Sequence, residues 1–523
     1  MSKQSFIKGT LILLAAGILN RLLGFIPRIT LPRIIGAEGV GLYHMGWPFL
    51  IVLLTLITGG IPIAVAKLVA EAEATHHQNR ISLILKICMG FTLLISILCI
   101  FICWIASTWI STHLLKDPRT SIIITTMSPM IIFIGVSSVL RGYFQGKLNM
   151  VPTAISQITE TMVRICMVLI GAYVMLPFGI EYAAAGAMMG VTIGEIAGML
   201  VLIKLYVKSK PQELHTPQQS TQSVGHPYQR FRKELLRIVC IAVPVTGSKL
   251  IGASSYLFES IMIFQSLAIA GISVHVATAQ YGSLQGMVIP ILLLPSALTY
   301  SLSVSLVPSL SDAFARKDYK TIQYQLQQSL RISLISGAPF AMIMFMLAEP
   351  ICTVMFNAPH ISPMLKMMAP IAIFIYLQAP LQAALQALDH SKIALIHTLI
   401  GSCIKLVLIY WLASDPRLGI LGAIIAMCTS IVIVTFLNGF SLLRMIQLQF
   451  RLMQFVRLGV VILISGMSTY FVINLDWGHH TLLPLILACF VGFITYISLI
   501  YVFGIINSAD VQKFKKIFHH IFH

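Results

Sequence analysis

The sequence predicts an all-α polytopic membrane protein with about fourteen transmembrane helices. We expect two homologous six-helix bundles, followed by two additional helices at the carboxyl end. Three observations predict this class: a very apolar composition, a series of long apolar stretches, and basic residues confined to alternate loops. Hydrophobic residues make up 57% of the 523 residues, and charged residues only 10%. Because a soluble domain of this length needs far more charged surface, we expect an integral membrane protein.

The apolar stretches follow one another along the whole chain. A helix needs about 20 mostly apolar residues to cross the bilayer. Stretches of this kind lie at 9–33, 42–66, 83–110, 121–143, 153–176, 183–206, 238–268, 280–307, 324–348, 363–388, 393–413, 419–440, 458–475 and 482–506. Lys3 and Lys8 precede the first stretch as in a signal peptide, but the run continues through Arg21 without a small-residue cleavage site. We therefore expect an uncleaved first transmembrane helix.

The basic residues alternate between the two sides of the predicted helices. With a cytoplasmic amino terminus, the loops on that side hold Lys67, Arg80, Arg141, Lys147, Lys208, Lys210, Arg230, Arg232, Lys233, Arg237, Arg316, Lys317, Lys320, Lys392, Arg444, Arg451, Arg457, Lys513, Lys515 and Lys516. The opposite loops contain only Lys116, Arg119 and Arg417. The positive-inside rule therefore predicts that both termini are cytoplasmic. Topology then explains the net charge of +18, and no nucleic-acid partner is expected.

The two halves of the chain repeat one another. Residues 140–165 align without gaps to residues 381–406, so that Arg164 corresponds to Lys405. In the same order, "NRLLG" of the first half parallels "SKLIG" of the second, which places Lys249 opposite Arg21. Transporters are often built from such repeats, with the substrate site between the halves.

The repeat and a polar, proline-bearing stretch between the halves suggest four segments. These are an amino-terminal bundle at 1–206, a cytoplasmic linker at 207–237, a carboxyl-terminal bundle at 238–440, and two extra helices with a basic cytoplasmic tail at 441–523.

The first predicted helix carries an unusual number of arginines. Arg21 and Arg28 are seven residues apart, so they share a helix face about 10 Å apart along the axis. Each charge costs about 2.5–3.5 kcal/mol at the centre of a bilayer on insertion scales. Pro27 should also kink the helix. This face is predicted to line a wet cavity or to meet an anion, and guanidinium groups suit phosphate. For Arg28 and Arg33, the alternative is extension of the side chain to the outer lipid headgroups, and for Arg33 the two alternatives are equal.

Other charged residues in the predicted helices are candidates for the same cavity. Lys249 is one as the repeat counterpart of Arg21, although it could also extend to the membrane surface. Glu160 and Arg164 have the i,i+4 spacing of an ion pair, which favours charge neutralisation over a gate. Lys405 has Gly401 where a glutamate would pair with it, so it is more available to an anion.

The remaining polar residues in the predicted helices point to no catalytic chemistry. Glu195 and Glu259 could bind a coupling cation or pair with a basic residue, and their spacing does not decide which. The histidine pairs His76–His77 and His479–His480 fall in predicted loops, and the nine cysteines form no zinc pattern. The chain contains no P-loop, G-x-S-x-G or H-E-x-x-H motif. We therefore expect no enzyme activity, cofactor or metal.

Several segments together resemble a known superfamily. They are "KGTLILLAAGILNRLLGFIPRITLPRIIGAEGVGLY", "SSVLRGYFQGKLNMVPTAISQ", "GIEYAAAGAM", "PVTGSKLIG", "QSLAIAGI" and "LLLPSALTYSLSVSLVP". The chain resembles the polysaccharide and lipid II flippase branch of the multidrug/oligosaccharidyl-lipid/polysaccharide (MOP) exporter superfamily, over about residues 3–450. The resemblance implies a central cavity that opens alternately to each side, and an undecaprenyl-diphosphate-linked glycan as substrate, with lipid II for spore cortex peptidoglycan as the leading expectation.

The resemblance also implies a role for the first-helix arginines. Related lipid II flippases carry essential arginines in the first helix, and Arg21 and Arg28 lie at or beside those positions. Those flippases also have basic residues in the second and eighth helices. Here the corresponding segments, "WPFLIVLLTLITGG" and "YGSLQGMVIPILLLPSALTY", have no mid-helix arginine. The headgroup must therefore be held differently, and the glycan is not specified.

Two other functions stay open at this stage. A cation-coupled multidrug exporter would share the superfamily, but it should have an acidic cavity and usually about twelve helices. A non-transporting scaffold for cell-wall synthesis enzymes would not need its cavity arginines. The flippase is favoured because the predicted cavity is basic, with membrane lipids and a lipid-linked oligosaccharide as partners. The sequence does not identify a coupling ion.

Overall fold

The computed structural model describes residues 16–17, 19–75, 77–209, 227–446, 452–475 and 482–505. His76, His479, His480, most of the predicted linker and the predicted basic tail lie outside the described residues.

The described residues form helices and contain no β-strand. The α-helices are α1 (Phe25–Met45), α2 (Trp47–Thr58), α3 (Ile61–Ala74), α4 (Gln78–Trp109), α5 (Thr120–Met127), α6 (Met130–Gly146), α7 (Val151–Met175), α8 (Ile180–Ser209), α9 (Pro227–Ile269), α10 (Val274–Gly282), α11 (Ile289–Leu293), α12 (Ser296–Ala315), α13 (Tyr319–Met346), α14 (Ala348–Phe356), α15 (Ser362–Met368), α16 (Ala372–Ala387), α17 (Ser391–Ala413), α18 (Ile420–Ile446), α19 (Leu452–Ile473) and α20 (Leu482–Val502). Short π-helical or 3₁₀ turns occur at Ile110–Leu114, Leu176–Phe178, Ser283–Val288 and Pro359–Ile361.

The helices confirm the predicted class of an all-α, multi-pass membrane protein. Within the described residues, 12 helical segments are long and apolar enough to cross a membrane, or 13 if the bent pair Pro359–Met368 and Ala372–Ala387 forms one span. One of the 12 is Leu19–Ala74, with 56 residues. A continuous helix of that length would extend about 84 Å, far beyond the roughly 30 Å of one crossing. The count of about fourteen helices therefore stays a prediction.

The chain divides into two compact units. Unit 1 contains Met1–Met287 and Ala413–Ile420, and unit 2 contains Val288–Leu412 and Leu421–His523. This division follows packing, whereas the predicted bundles at 1–206 and 238–440 follow the sequence repeat. The predicted boundaries stay a prediction.

Unit 1 is held together by close helix packing around small residues. A Cβ atom added to Gly171 on α7 would lie 2.2 Å from the carbonyl oxygen of Gly186 on α8, so the two backbones touch. Small residues at such crossings allow van der Waals packing between helices in a membrane. A separate cluster of buried side chains joins α3, α4 and α6 to the first half of α9, where Ile238 is 4% exposed.

Unit 2 has two clusters of buried apolar residues. The larger cluster joins α12, α13, α16 and α18. The smaller one attaches the last two helices to α13, where Ala338 packs with Val461 and Tyr496. The hydroxyl of Tyr496 also donates a hydrogen bond to the carbonyl oxygen of Ile335 at 2.9 Å. The predicted pair of extra helices is therefore packed against α13.

Candidate functional site

The three arginines of the first predicted helix lie on an exposed surface of unit 1. The side chains of Arg21, Arg28 and Arg33 are all exposed. The helix is interrupted by a turn at Gly24, and α1 starts at Phe25. Pro27 contributes to this interruption because it has no N–H group to donate to the preceding turn.

Arg28 is the first-helix arginine whose surroundings favour a role in binding. Its guanidinium lies 6.0 Å from the centre of the Phe25 ring. Its charge interacts with that of Arg164 on α7 and with Tyr43. Two positive charges that interact in this way raise the local positive potential, which favours a nearby anion.

Arg164 belongs to a buried network of four charges, here called the Glu160 cluster: Arg141, Glu160, Arg164 and Glu195. Arg141 and Arg164 donate to the two carboxylate oxygens of Glu160 at 2.6 and 3.0 Å. Arg164 also lies 3.8 Å from a carboxylate oxygen of Glu195. Glu160 and Glu195 are only 8% and 7% exposed, so each carboxylate is buried.

The Glu160 cluster contains the ion pair that the i,i+4 spacing predicts. Glu195, for which the sequence left two roles open, lies beside a basic residue. The charge pattern of the sequence places Arg141 in a loop and does not predict its role here, although Arg141 stands within the repeated segment 140–165. The cluster has two positive and two negative formal charges, so Arg28 adds the charge that makes this part of unit 1 basic. Arg28 itself makes no ion pair with an acidic residue in the part of the chain that the structure describes.

Lys249 lies on α9 and corresponds to Arg21 in the sequence repeat. The residue is exposed, and its ammonium group donates a 2.8 Å hydrogen bond to the carbonyl oxygen of Gly59. Gly59 follows the last residue of α2. A lysine at this position satisfies a carbonyl that the helix leaves without an intrahelical donor.

Lys405 lies in unit 2 and is half-buried on α17. The structure explains why Gly401 replaces the glutamate of the first repeat. A Cβ atom at Gly401 would lie 2.2 Å from Cγ2 of Val434, and Ser430 donates to the Gly401 carbonyl at 2.9 Å. Because α18 fills this space, no acidic side chain fits there.

Glu259 interacts with two tyrosines of unit 1. It is 4% exposed on α9, and its charge interacts with Tyr256 and Tyr281. The Tyr281 hydroxyl lies 3.0 Å from Oγ of Ser260. Its predicted role as an ion pair or gate stays a prediction.

A second polar cluster, which the sequence analysis did not predict, is here called the Glu38 cluster: Glu38, Asp117, Arg119, His275 and Thr278. Arg119 donates to Asp117 at 2.7 Å and to Glu38 at 2.6 Å. His275 Nδ1 lies 2.6 Å from Glu38, and Thr278 donates to Asp117 at 3.0 Å. The hydrogen bond to Asp117, followed by the one to Glu38, raises the pKa of Arg119. The sequence signal that could have indicated this cluster is Arg119 itself, because it is a basic residue in a set of loops that contain almost none.

A third cluster, here called the Glu71 cluster, consists of Glu71, Arg80, Glu234 and Arg237. Arg80 forms a two-pronged ion pair with Glu234 at 2.7 and 3.2 Å. Arg237 donates to Glu71 at 2.7 Å. These pairs join α3 and α4 to the start of α9. The sequence analysis assigned Arg80 and Arg237 to topology alone.

Comparison with known proteins identifies the family. A sequence model of the family described as "Polysaccharide biosynthesis protein" matches residues 6–314, and one described as "MatE" matches residues 251–411. The stage V sporulation protein B of Bacillus subtilis is 40% identical over 466 residues, which cover 89% of each chain. The chain belongs to the polysaccharide biosynthesis protein family.

More distant relatives place this family in a wider group. The lipid II flippase MurJ of Bacillus subtilis is 24% identical over 427 residues, or 77% of each chain. A solved structure titled "Lipid II flippase MurJ, inward closed conformation" has the same fold, with a TM-score of 0.70 at 17% identity over 94% of this chain and 98% of that one. An inward-facing MATE family transporter of the MOP superfamily gives a TM-score of 0.62 at 13% identity, over 81% of this chain and 94% of that one.

The predicted superfamily is therefore confirmed. This member of the polysaccharide biosynthesis protein family is a multi-pass membrane protein.

Proposed function

We propose that this protein is a flippase that moves an undecaprenyl-diphosphate-linked glycan precursor across the cytoplasmic membrane by alternating access. The family and the 40% identical sporulation relative support this proposal. Lipid II for spore cortex peptidoglycan is the leading substrate, because one relative acts in sporulation by name and another is a lipid II flippase by name.

The observation that carries the proposal is the electrostatic interaction between Arg28 and Arg164, two positively charged residues of unit 1. A diphosphate offers several anionic oxygens, and arginine binds such groups through paired N–H donors. The buried carboxylates of the Glu160 cluster keep Arg164 in place and offset part of its charge. An incoming diphosphate would therefore be bound by Arg28 and would share Arg164 with Glu160.

The remaining basic candidates extend this site in the proposal. Arg21 and Arg33 continue the line of positive charge along the first helix, and Lys249 contributes from α9. Lys405 of unit 2 is proposed separately as a contact for the substrate. In the same scheme Glu160, Glu195 and Glu259 are gate or ion-pair residues. The polar headgroup could not cross about 30 Å of hydrocarbon without such partners.

The proposed orientation places both termini in the cytoplasm, following the positive-inside rule. The isoprenoid tail stays in the lipid while the headgroup passes through the protein. Membrane lipids and the lipid-linked substrate are the direct partners, and cell-wall synthesis enzymes are candidate neighbours.

A second candidate is a cation-coupled multidrug exporter, which the MatE match over residues 251–411 favours. The basic surroundings of Arg28 argue against this candidate, because a cationic drug would be repelled there. Under the alternative of a non-transporting scaffold, the protein would lie in the same membrane but would not move lipid across it.

Depletion of the protein during sporulation tests the proposed function in cells. The proposal predicts that lipid-linked peptidoglycan precursors accumulate with their headgroups on the cytoplasmic face. Unchanged pools with unchanged sidedness, in cells that also lack related flippases, would contradict it. Loss of resistance to cationic drugs with normal precursor pools would instead support the exporter.

A further inference from the structure

One face of α9 is fastened to α2, α3 and α4 at several points. Glu234 and Arg237 lie near the start of α9 and form the ion pairs of the Glu71 cluster. Ala242 lies further along, and Lys249 further still. Glu234 and Lys249 are 15 residues apart, which corresponds to about 22 Å of helix. The fastened face therefore runs along much of the first half of α9.

The middle of this face is a backbone contact without polar bonds. A Cβ atom on Gly60 would lie 2.1 Å from the carbonyl oxygen of Ala242 and 2.6 Å from its Cα atom. A Cβ atom on Gly59 would lie 3.0 Å from the Cα atom of Thr246. The break between α2 and α3 thus lets α9 approach closely, so that van der Waals attraction contributes to holding this stretch.

The polar bonds at the two ends of the face differ in strength and in what they respond to. Within the Glu71 cluster, the pair of Arg237 with Glu71 is partly exposed, at 39% and 36% of the side-chain surfaces, and contributes little. The two-pronged pair of Arg80 with the buried Glu234 is the stronger of the two. Lys249 places a full positive charge on a neutral carbonyl at the end of α2. A phosphate oxygen is a stronger acceptor for an ammonium than a carbonyl is, because it carries charge.

From these contacts we infer that Lys249 is an anion-released latch. The Lys249 ammonium holds α9 against the break between α2 and α3. When a lipid diphosphate binds this ammonium, the ammonium leaves the Gly59 carbonyl oxygen. With this bond lost, the van der Waals contact at Gly60 and the ion pairs of the Glu71 cluster hold the first half of α9 less tightly, so that it opens more often. The inference rests on the proposed function, since it names a diphosphate as the releasing anion.

The reactivity of a cysteine at position 238 measures whether the face is closed. Ile238 is buried under this face, and cysteine is smaller, so Ile238→Cys fits without strain. The nine native cysteines are first replaced, and the protein is placed in phospholipid vesicles. The rate of reaction with N-ethylmaleimide is then measured with and without undecaprenyl diphosphate, whose binding is followed separately by photo-crosslinking.

The latch predicts three results. With Lys249 present, the lipid increases the labelling rate. In Lys249→Met the rate is already at least about tenfold higher without the lipid, and the lipid adds nothing, because a charge-assisted hydrogen bond has been lost. Lys249→Arg restores slow labelling and the response to the lipid, which excludes misfolding as the cause.

The control is Lys204→Met, the same change at an exposed lysine on α8. It should behave like the parent protein. Slow labelling of Lys249→Met, or a lipid that binds the parent without changing its rate, would overturn the latch and leave the proposed function intact. A lipid that does not bind the parent at all would overturn the proposed function, and the diphosphate-released latch with it.

Discussion

At the scale of single residues, the carboxylate of Glu160 is the central element of the buried charge network. It accepts hydrogen bonds from Arg141 on α6 and from Arg164 on its own helix. The i,i+4 spacing predicts the second bond because both residues lie on one helix, where their separation is fixed by helix geometry. The positions of Arg141 and Glu195 depend on how α6 and α8 pack against α7. Spacing within a sequence carries no information about that packing.

Replacement of Glu160 by glutamine should destabilise the protein strongly. The change removes the buried carboxylate charge that pairs with the half-buried guanidinium groups of Arg141 and Arg164, and breaking a buried ion pair typically costs about 3–5 kcal/mol. We expect a clear decrease of the thermal unfolding temperature of the purified protein in detergent.

The matched control for Glu160→Gln is Asp312→Asn, which removes another i,i+4 ion pair, with Arg316, at an exposed site. Exposed pairs contribute about 0–1 kcal/mol, so this variant should unfold at almost the parent temperature. Equal effects of the two substitutions would contradict the buried network.

The Glu38 cluster gives a second prediction for a single residue. Replacement of Arg119 by glutamine leaves Asp117, which is 1% exposed, without its guanidinium partner. We expect a loss of stability of about 3 kcal/mol, measured by thermal unfolding. Since the raised pKa keeps Arg119 charged, its contribution is fully present below the ordinary arginine pKa and is lost only above it.

The loss of stability on replacing Arg119 should therefore keep its size over neutral and mildly alkaline pH, where Arg119 stays charged. Arg417→Gln, at an exposed loop position, is the control and should have little effect. A difference between Arg119→Gln and the parent that disappears at mildly alkaline pH would contradict this account.

At the scale of helices, close crossings at glycine determine which elements can pack together. The apolar stretches of the sequence predict where helices run, because burial in lipid requires continuous apolar surface. They do not predict which glycine meets which neighbour. The contact between Gly171 and Gly186 joins residues of two different helices, and only the folded backbone brings them together.

The Gly186 contact predicts opposite effects for two identical substitutions. Gly186→Ala places a methyl group 2.3 Å from the Gly171 carbonyl oxygen, so α7 and α8 must separate at a cost of about 1–3 kcal/mol. Gly439→Ala on α18 meets no atom within 4 Å and should stabilise its helix by up to about 1 kcal/mol. Thermal unfolding of both variants measures the difference, and a stabilising effect at Gly186 would disprove the crossing.

At the scale of the whole molecule, composition predicts the fold class because a chain with 10% charged residues needs the bilayer as its solvent. The superfamily follows from specific segments, and the family match confirms it. The division into compact units after Met287 is not visible in the sequence repeat. It depends on α9 and α10 packing against helices of the first half, through contacts such as Lys249 with Gly59 and Thr278 with Asp117.

In the proposed function, the charge of Arg28 helps a lipid diphosphate to cross the membrane. The most direct test measures the transfer of a fluorescent lipid II analogue between the leaflets of vesicles that contain the purified protein, with Arg28→Gln compared to the parent and to Arg417→Gln. The account predicts transfer by the parent and by Arg417→Gln, and a rate at least about tenfold lower for folded Arg28→Gln, since one charge-assisted contact is lost. Equal transfer by the parent and Arg28→Gln, or no transfer by the parent, would contradict it.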